Sequence, residues 1–104
     1  MVARLLEGRG YRILERNLRV GRAEIDIVAE WGQTLVFCEV RARRTGHGVH
    51  PLETIDPAKI ARLRSAALAW VISNELRRRP LRFDAAGVTF DRPEGVIDYR
   101  EGAF

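Results

Sequence analysis

Several short stretches of the chain alternate between apolar and polar residues, which is the pattern of half-buried β-strands. Residues 11–19 and 23–30 both have this period of two. The second stretch places four apolar residues on one face: Ala23, Ile25, Ile27 and Ala29. Residues 34–42 are apolar at nearly every position and predict a strand that is buried on both faces.

Two segments have helical spacing instead. Residues 1–9 predict a short helix, and a longer helix begins at Asp56 and Pro57, an N-cap residue followed by a first-turn proline. Apolar residues then recur at intervals of three and four until Pro80, which cannot continue a helix. We expect this second helix to span residues 57–78.

Residues 81–91 and 96–99 have the composition of two final strands. The resulting order, α-β-β-β-α-β-β, predicts a mixed α/β fold in which helices pack on one sheet. A chain of 104 residues suffices for one hydrophobic core, so we expect a single domain over residues 1–104.

Hydropathy and cysteine content bear on the cellular setting. The longest apolar run has seven residues, far fewer than the ~18 that a membrane span needs. The first residues lack the pattern of a secretory signal, and the single cysteine, Cys38, cannot form an internal disulfide. We therefore expect a cytoplasmic protein with no membrane partner.

Charge is unevenly distributed along the chain. Lys59 is the one lysine among 18 basic residues, and the other 17 are arginine. Residues 1–22 and 57–82 are basic, whereas residues 23–56 and 83–104 are acidic. Guanidinium groups suit phosphate, which favours a nucleic-acid partner, although codon bias would also produce an excess of arginine. A purely electrostatic binder has no need for the acidic middle segment.

Glu39 is a charged residue within the most hydrophobic strand of the chain. Period two places it on the same face as Arg41, together with Leu35 and Phe37. A carboxylate buried there without a partner would cost several kcal/mol or take up a proton. A partner for Glu39 is therefore expected on the neighbouring strand.

A hairpin turn at residues 32–33, of type II′ with glycine first, would set the register of the two strands. In that register Asp26 faces Glu39, and Glu24 faces Arg41. Directly opposed residues have Cβ atoms ~4.5–5.5 Å apart. Two carboxylates at that distance repel each other, so we expect a cation between them.

The spacing of the residues alone does not identify that cation. One interpretation is a divalent metal bound by hard oxygen ligands, as Mg²⁺ prefers. The other is a structural cluster of ion pairs, in which Glu24 pairs with Arg41 and the other two carboxylates pair with Arg43 or Lys59.

These residues lie in segments that together resemble the YraN family of small bacterial proteins. The segments are GYRILERN at residues 10–17, EID at 24–26, VFCEVRAR at 36–43 and PLE at 51–53, with Lys59 downstream. The resemblance covers roughly residues 3–99. The family in turn resembles restriction-endonuclease-like (PD-(D/E)xK) nucleases, in particular archaeal Holliday-junction resolvases. This likeness implies an α-β-β-β-α-β core with a mixed central sheet.

The resemblance also implies a set of catalytic residues. Asp26 and Glu39 match the superfamily's two metal-ligating acids, which hold one or two Mg²⁺ (or Mn²⁺) ions, and the carbonyl of Val40 is a further candidate ligand. Glu24 matches an additional acid of the family. Arg41 stands where the family has a lysine.

The implied function is a metal-dependent endonuclease that hydrolyses phosphodiester bonds of DNA. Branched or single-stranded intermediates of repair or recombination are the candidate substrates, and DNA is favoured over RNA. The residues predicted to contact the nucleic acid are Arg43, Arg44, Lys59 and Arg62. The resemblance allows a homodimer, although the sequence shows no dimer face.

Three departures from the family pattern keep other functions open. Arg41 cannot lose a proton and so cannot act as a general base. Ala23 replaces the glycine before EID, and the glutamate of the family's first helix would fall just before Met1. Either the natural chain starts upstream or this carboxylate is missing. The alternative functions are an inactive or weak nuclease that still binds nucleic acid, and a protein-interaction module that uses the helix at 57–78.

Four further residues were assigned roles from their position. His47 and His50 lie in a loop without zinc-finger spacing, so a structural or phosphate-contact role is expected, with a metal or acid-base role as the alternative. Trp70 is predicted to lie in the core, and Trp31 to be exposed at the hairpin tip.

Overall fold

The computed structural model describes residues 1–44, 50–90 and 95–104, and these form one mixed α/β sheet with helices on both faces. The elements are α1 (Val2–Gly8), β1 (Arg12–Val20), β2 (Ala23–Trp31), β3 (Thr34–Arg44), a 3₁₀-helix (Pro51–Thr54), α2 (Pro57–Ser73), β4 (Leu81–Phe90) and β5 (Val96–Arg100). The predicted α-β-β-β-α-β order and mixed sheet are therefore confirmed. Within the described residues, no helix is long and apolar enough to cross a membrane.

The strands lie in the sheet in the order in which they occur along the chain. β3 and β4 pair in parallel, and the other neighbouring pairs are antiparallel. Parallel neighbours need a crossover connection, and α2 lies within the one that joins β3 to β4. This connection places α2 against β2 and β1, and the buried residues of α2 share an apolar cluster with Leu35 and Phe37 of β3.

The hairpin between β2 and β3 has the predicted register. Gly32 takes a positive φ of 58° at the first turn position, which glycine adopts without strain. The strand pairs run from the turn to Ile27 opposite Cys38. Asp26 and Glu39 are the next residues beyond that pair, which places the two acids on neighbouring strands at the same level.

The apolar alternation of β2 breaks at Asp26. Ala23 and Ile25 pack in the cluster beneath α2, whereas Ile27 and Ala29 pack in the cluster beneath α1. The prediction that these four apolar residues share one face is therefore wrong.

The break coincides with a backbone irregularity on the neighbouring strand. Asn17 on β1 has a positive φ of 51°, which asparagine tolerates better than most residues. The register of the flanking β1–β2 pairs leaves Asn17 opposite Asp26. The change of face on β2 and the positive φ on β1 thus lie at the same level of the sheet.

β3 is buried on both faces, as its composition predicted. Leu35 and Phe37 pack toward α2, where Phe37 stacks on Phe83 with 5.5 Å between ring centroids. Val36 and Cys38 pack on the opposite side, toward α1. Because both faces of β3 are buried, a charged residue on this strand is energetically costly unless it has a partner.

α2 begins as predicted but ends at Ser73, so the expected end at residue 78 is wrong. The N–H groups of Glu75 and Leu76 donate to the carbonyls of Ile72 and Val71, which is a Schellman motif. Glu75 occupies the left-handed position of that motif with φ 58°. Glycine is the usual residue there, so the sequence contained no signal for this end.

The segment after α2 braces the β2–β3 hairpin. Arg79 donates from Nε to the carbonyl of Gln33 at 2.8 Å and forms a 3.0 Å ion pair with Glu30. At the hairpin tip, Trp31 is 51% exposed, as predicted, and stacks against Tyr11.

Candidate metal centre

A cavity of about 510 Å³ lies between β2, β3 and the start of α2. The charged residues among the described residues that line it are Glu24, Asp26, Glu39, Arg19, Arg22, Arg41, Lys59 and Arg62. Val40 lines it as well. The fold therefore brings together seven of the nine residues that were predicted to form the site, although they come from three elements.

Glu39 is the most deeply buried of these acids, at 3% exposure. Period two on β3 points it toward α2, where the apolar cluster ends. The pKa of its carboxyl is raised to about 7, chiefly by burial and then by hydrogen bonding to Asp26 and the negative charge of Asp26. The ammonium of Lys59 acts in the opposite direction.

Asp26 is held in place by the backbone of the neighbouring strand. The N–H of Val40 donates to its Oδ2 at 2.8 Å, and the side chain lines the cavity. Asp26 also lines a second cavity, of about 410 Å³, on the α1 side of the sheet. The break in β2 alternation accounts for this position, because it places Asp26 where the two faces meet.

Lys59 supplies the nearest positive charge. Its Nζ lies 3.3 Å from Oε2 of Glu39, but that buried oxygen has no hydrogen-bond partner of suitable geometry within the described structure. The buried Nε of Arg41 also has no hydrogen-bond partner among the residues that the structure describes. Two polar atoms at the floor of one cavity are thus incompletely satisfied, which is unusual for buried groups.

The structural ion-pair interpretation is realised only in part. Glu39 does pair with Lys59, as that interpretation allowed. The expected pair between Glu24 and Arg41 is wrong, because Glu24 lies 3.8 Å from Arg19 on the adjoining strand. β1 pairs with β2 on the side opposite β3, so Glu24 can reach the nearer guanidinium.

The donor atoms at this site fit a hard divalent cation. Asp26 and Glu39 offer carboxylate oxygens, one of which is buried without a hydrogen bond. In the described part of the chain, no group of three or more His, Cys, Asp or Glu could enclose a metal. Mg²⁺ commonly keeps several waters and uses one or two protein carboxylates, so a pair suffices. The Val40 carbonyl remains a predicted ligand.

The rim of the cavity is basic, and part of it was missed from the sequence. Arg19 and Arg22 belong to the hairpin that joins β1 to β2, and Arg62 lies nearly one turn after Lys59 on α2. The register of that hairpin, with Val20 opposite Ala23, would have indicated the first two arginines.

The remaining predicted residues lie elsewhere or outside the described residues. Arg43 is half-buried on β3 and is not among the residues that line the cavity. The side chain of Arg44 and the whole of His47 lie outside the described residues. The roles of Arg43, Arg44 and His47 remain predictions.

His50 has a structural role. Its Nδ1 accepts a hydrogen bond from the N–H of Leu52 at 3.1 Å, and its Nε2 lies 2.9 Å from Asp98. Both ring nitrogens are therefore occupied by contacts that fix the 3₁₀-helix to β5. The pKa of Asp98 is lowered, chiefly by its hydrogen bond from Arg100 and to a smaller extent by His50.

Sequence reasoning also missed a second buried carboxylate, Asp84 on β4. It accepts two hydrogen bonds from Arg82, at 2.9 and 2.8 Å, one from the hydroxyl of Tyr99, and one from the N–H of Gly102 at 3.0 Å. All of its partners come from β4, β5 and the C-terminal residues. The alternating Arg82 and Asp84 in an apolar strand would have been the available signal.

This second cluster is satisfied internally and has no opening for a ligand among its described contacts. Burial raises the pKa of the Tyr99 hydroxyl, and burial raises the pKa of the adjacent Cys38 thiol to about 12. Cys38 is a buried free cysteine. We assign this cluster to stability rather than to chemistry.

Comparison with known proteins identifies the family. The profile of the family described as "Uncharacterised protein family UPF0102" matches residues 1–88. This chain belongs to the UPF0102 family. A UPF0102 protein of Anaeromyxobacter dehalogenans is 39% identical over 104 residues, covering 100% of this chain and 78% of that protein. A UPF0102 protein of Moorella thermoacetica is 45% identical over 104 residues, covering 98% of this chain and 87% of that protein. The YraN resemblance is thereby confirmed.

Among solved structures, the UPF0102 chain is similar to Pyrococcus furiosus SfsA in complex with Ca²⁺. The two share 19% sequence identity, with a TM-score of 0.39 over 96% of this chain and 58% of that one. At this level of likeness, inferences about the UPF0102 site rest on its own residues.

Proposed function

We propose that this UPF0102 protein is a metal-dependent endonuclease that hydrolyses phosphodiester bonds of DNA. The observation that carries the proposal is the pair formed by Asp26 and buried Glu39, set in a cavity with a basic rim. Two adjacent carboxylates stay ionised together only when positive charge compensates them. Mg²⁺ (or Mn²⁺) is the proposed cofactor, and Asp26 and Glu39 would hold it.

Phosphodiester hydrolysis requires a nucleophilic water and stabilisation of the negative charge that builds up on the phosphate. A bound divalent ion would lower the pKa of a water and polarise the phosphate. The Val40 N–H orients Asp26 by fixing one of its oxygens. Arg41 faces the same cavity, and its guanidinium can stabilise developing negative charge but cannot remove a proton.

The arginines of the rim would hold the substrate. Arg19, Arg22 and Arg62 surround the acids and can contact phosphates on either side of the reacting one. Contacts of this kind position a nucleic-acid backbone but read no base sequence. The proposed enzyme therefore selects its substrate by DNA structure, and branched or single-stranded DNA is the proposed substrate. The proposed location is the cytoplasm.

A second candidate function is nucleic-acid binding without catalysis. It is favoured by one observation, that the ammonium of Lys59 already lies 3.3 Å from Glu39. In that case, affinity for DNA would fall steeply with salt and would be indifferent to divalent metal.

A cleavage assay separates the two candidates. Junction, nicked and single-stranded DNA are incubated with Mg²⁺ or Mn²⁺, and the wild type is compared with Asp26→Asn and Glu39→Gln. We expect metal-dependent cleavage by the wild type and a loss of ~10³-fold in each variant, several kcal/mol of transition-state stabilisation. Glu15→Gln, an exposed acid of β1 outside the cavity, should cleave like the wild type.

The assay includes DNA binding and thermal unfolding of every variant. Absence of cleavage by the wild type on all substrates, with DNA binding that is sensitive to salt and insensitive to metal, would contradict catalysis and support the second candidate. Unchanged cleavage by both acid variants would contradict the proposed site.

A further inference from the structure

The one lysine of this arginine-rich chain lies at the buried carboxylate pair. Every other basic residue of the 18 is an arginine, yet the group within 3.3 Å of Glu39 is the ammonium of Lys59. An ammonium is a compact point charge on a flexible stem, whereas a guanidinium is a planar fork that favours bidentate contacts. The cation beside Glu39 is therefore a compact point charge, as a metal ion is, rather than a planar guanidinium.

The backbone of Lys59 is anchored, and its side chain is partly exposed. Its N–H donates to the N-cap carboxylate of Asp56 at 2.8 Å, so the residue is anchored in the first turn of α2. The side chain reaches from there to Glu39, and 34% of it is exposed, compared with 4% of the Glu39 side chain. The contact is an ion pair with 3.3 Å between Nζ of Lys59 and Oε2 of Glu39. An ammonium on a flexible, partly exposed stem can move away from the carboxylate while its backbone stays anchored.

We propose that Lys59 is a built-in counter-ion, which occupies the metal-binding side of Glu39 until a divalent cation displaces it and then contacts the phosphate of the substrate. The inference rests on the proposed function. Lys59 and Glu39 line the same cavity, so the displaced ammonium stays in the space that would receive the phosphate. In the free protein, the Lys59 ammonium thus neutralises the buried acid. When the metal binds, the same ammonium contacts the substrate phosphate instead.

The first test is a Mn²⁺ titration at pH 8, followed through the electron paramagnetic resonance signal of the free ion. Lys59→Met removes the competing charge, so we expect it to bind Mn²⁺ ~10-fold more tightly than the wild type. Lys59→Arg keeps the charge and should restore affinity toward that of the wild type. Arg62→Met is the matched control, because Arg62 lines the same cavity from the same helix but has no ion pair with Glu39. Its affinity for Mn²⁺ should be unchanged.

The second test measures how Mn²⁺ changes affinity for a short single-stranded DNA. In the wild type, Mn²⁺ should strengthen DNA binding, because metal and phosphate binding are linked through the released ammonium. In Lys59→Met that gain should be reduced, although the metal itself binds more tightly. Arg62→Met should weaken DNA binding with and without Mn²⁺ and keep the gain.

The outcomes separate this inference from the proposed function. If neither the wild type nor Lys59→Met binds Mn²⁺, the proposed metal site itself is contradicted. If the wild type binds Mn²⁺ but Lys59→Met binds it no more tightly, the site stands and the counter-ion role is contradicted. An equal increase in Lys59→Met and Arg62→Met would also contradict it, because the effect would then reflect net charge alone.

Discussion

At the scale of single residues, the opposition of Asp26 and Glu39 could be predicted because two short-range signals determine it. The glycine turn sets the register, and period two sets the face of Glu39. The approach of Lys59 could not be predicted with the same certainty. It depends on how α2 lies over the sheet, and the chain between Arg41 and α2 gives no register for that.

The buried carboxyl of Glu39 makes stability depend on pH in the metal-free protein. Its pKa is raised from 4.5 to about 7 in the folded state. The favourable contribution is therefore full below pH 4.5 and is lost as pH rises through 7, a change of ~3 kcal/mol in the free energy of unfolding. Urea unfolding in EDTA should show that Glu39→Gln gains about this much relative to the wild type between pH 4.5 and pH 8.

The exposed variant Glu15→Gln serves as the control and should follow the wild type at both pH values. A stability difference between wild type and Glu39→Gln that does not change with pH would contradict the raised pKa. Addition of Mg²⁺ at pH 8 should stabilise the wild type and leave Glu39→Gln unaffected.

At the scale of elements, regular periodicity predicted the strands and failed where the backbone departs from it. The alternation of β2 did not indicate the break at Asp26, and asparagine permits but does not signal the positive φ found opposite it at Asn17. The end of α2 was missed for a similar reason, since Glu75 occupies a position that usually belongs to glycine. In both places, tertiary packing rather than a local sequence signal determines the backbone conformation.

Asp84 joins β4, β5 and the C-terminal residues, and its removal should destabilise the protein without affecting the metal site. Asp84→Ala leaves the guanidinium of Arg82 and the hydroxyl of Tyr99 without their shared partner. We expect a loss of ~3–5 kcal/mol in the free energy of unfolding by urea. In the fraction that stays folded, Mn²⁺ affinity should equal that of the wild type.

Asp98→Asn is the matched control on the neighbouring strand. Asp98 also pairs with an arginine, but its side chain is 41% exposed, so its replacement should cost less than ~1 kcal/mol. Equal losses in the two variants would contradict the assignment of Asp84 as the buried anchor of this part of the fold.

At the scale of the whole molecule, the charge pattern of the chain acquires a spatial meaning. The acidic middle segment contributes Glu24, Asp26 and Glu39 to the cavity floor, and the two basic segments contribute its rim. The sequence could indicate that acids and bases occupy separate blocks. Their arrangement around one cavity required the crossover that carries α2 over the sheet.

The most direct test of the metal site is anomalous diffraction from crystals soaked in Mn²⁺. We expect an anomalous peak ~2.0–2.6 Å from carboxylate oxygens of both Asp26 and Glu39, with the ammonium of Lys59 moved away from Glu39. The absence of a peak at the pair, with Lys59 still on Glu39 at saturating Mn²⁺, would contradict it.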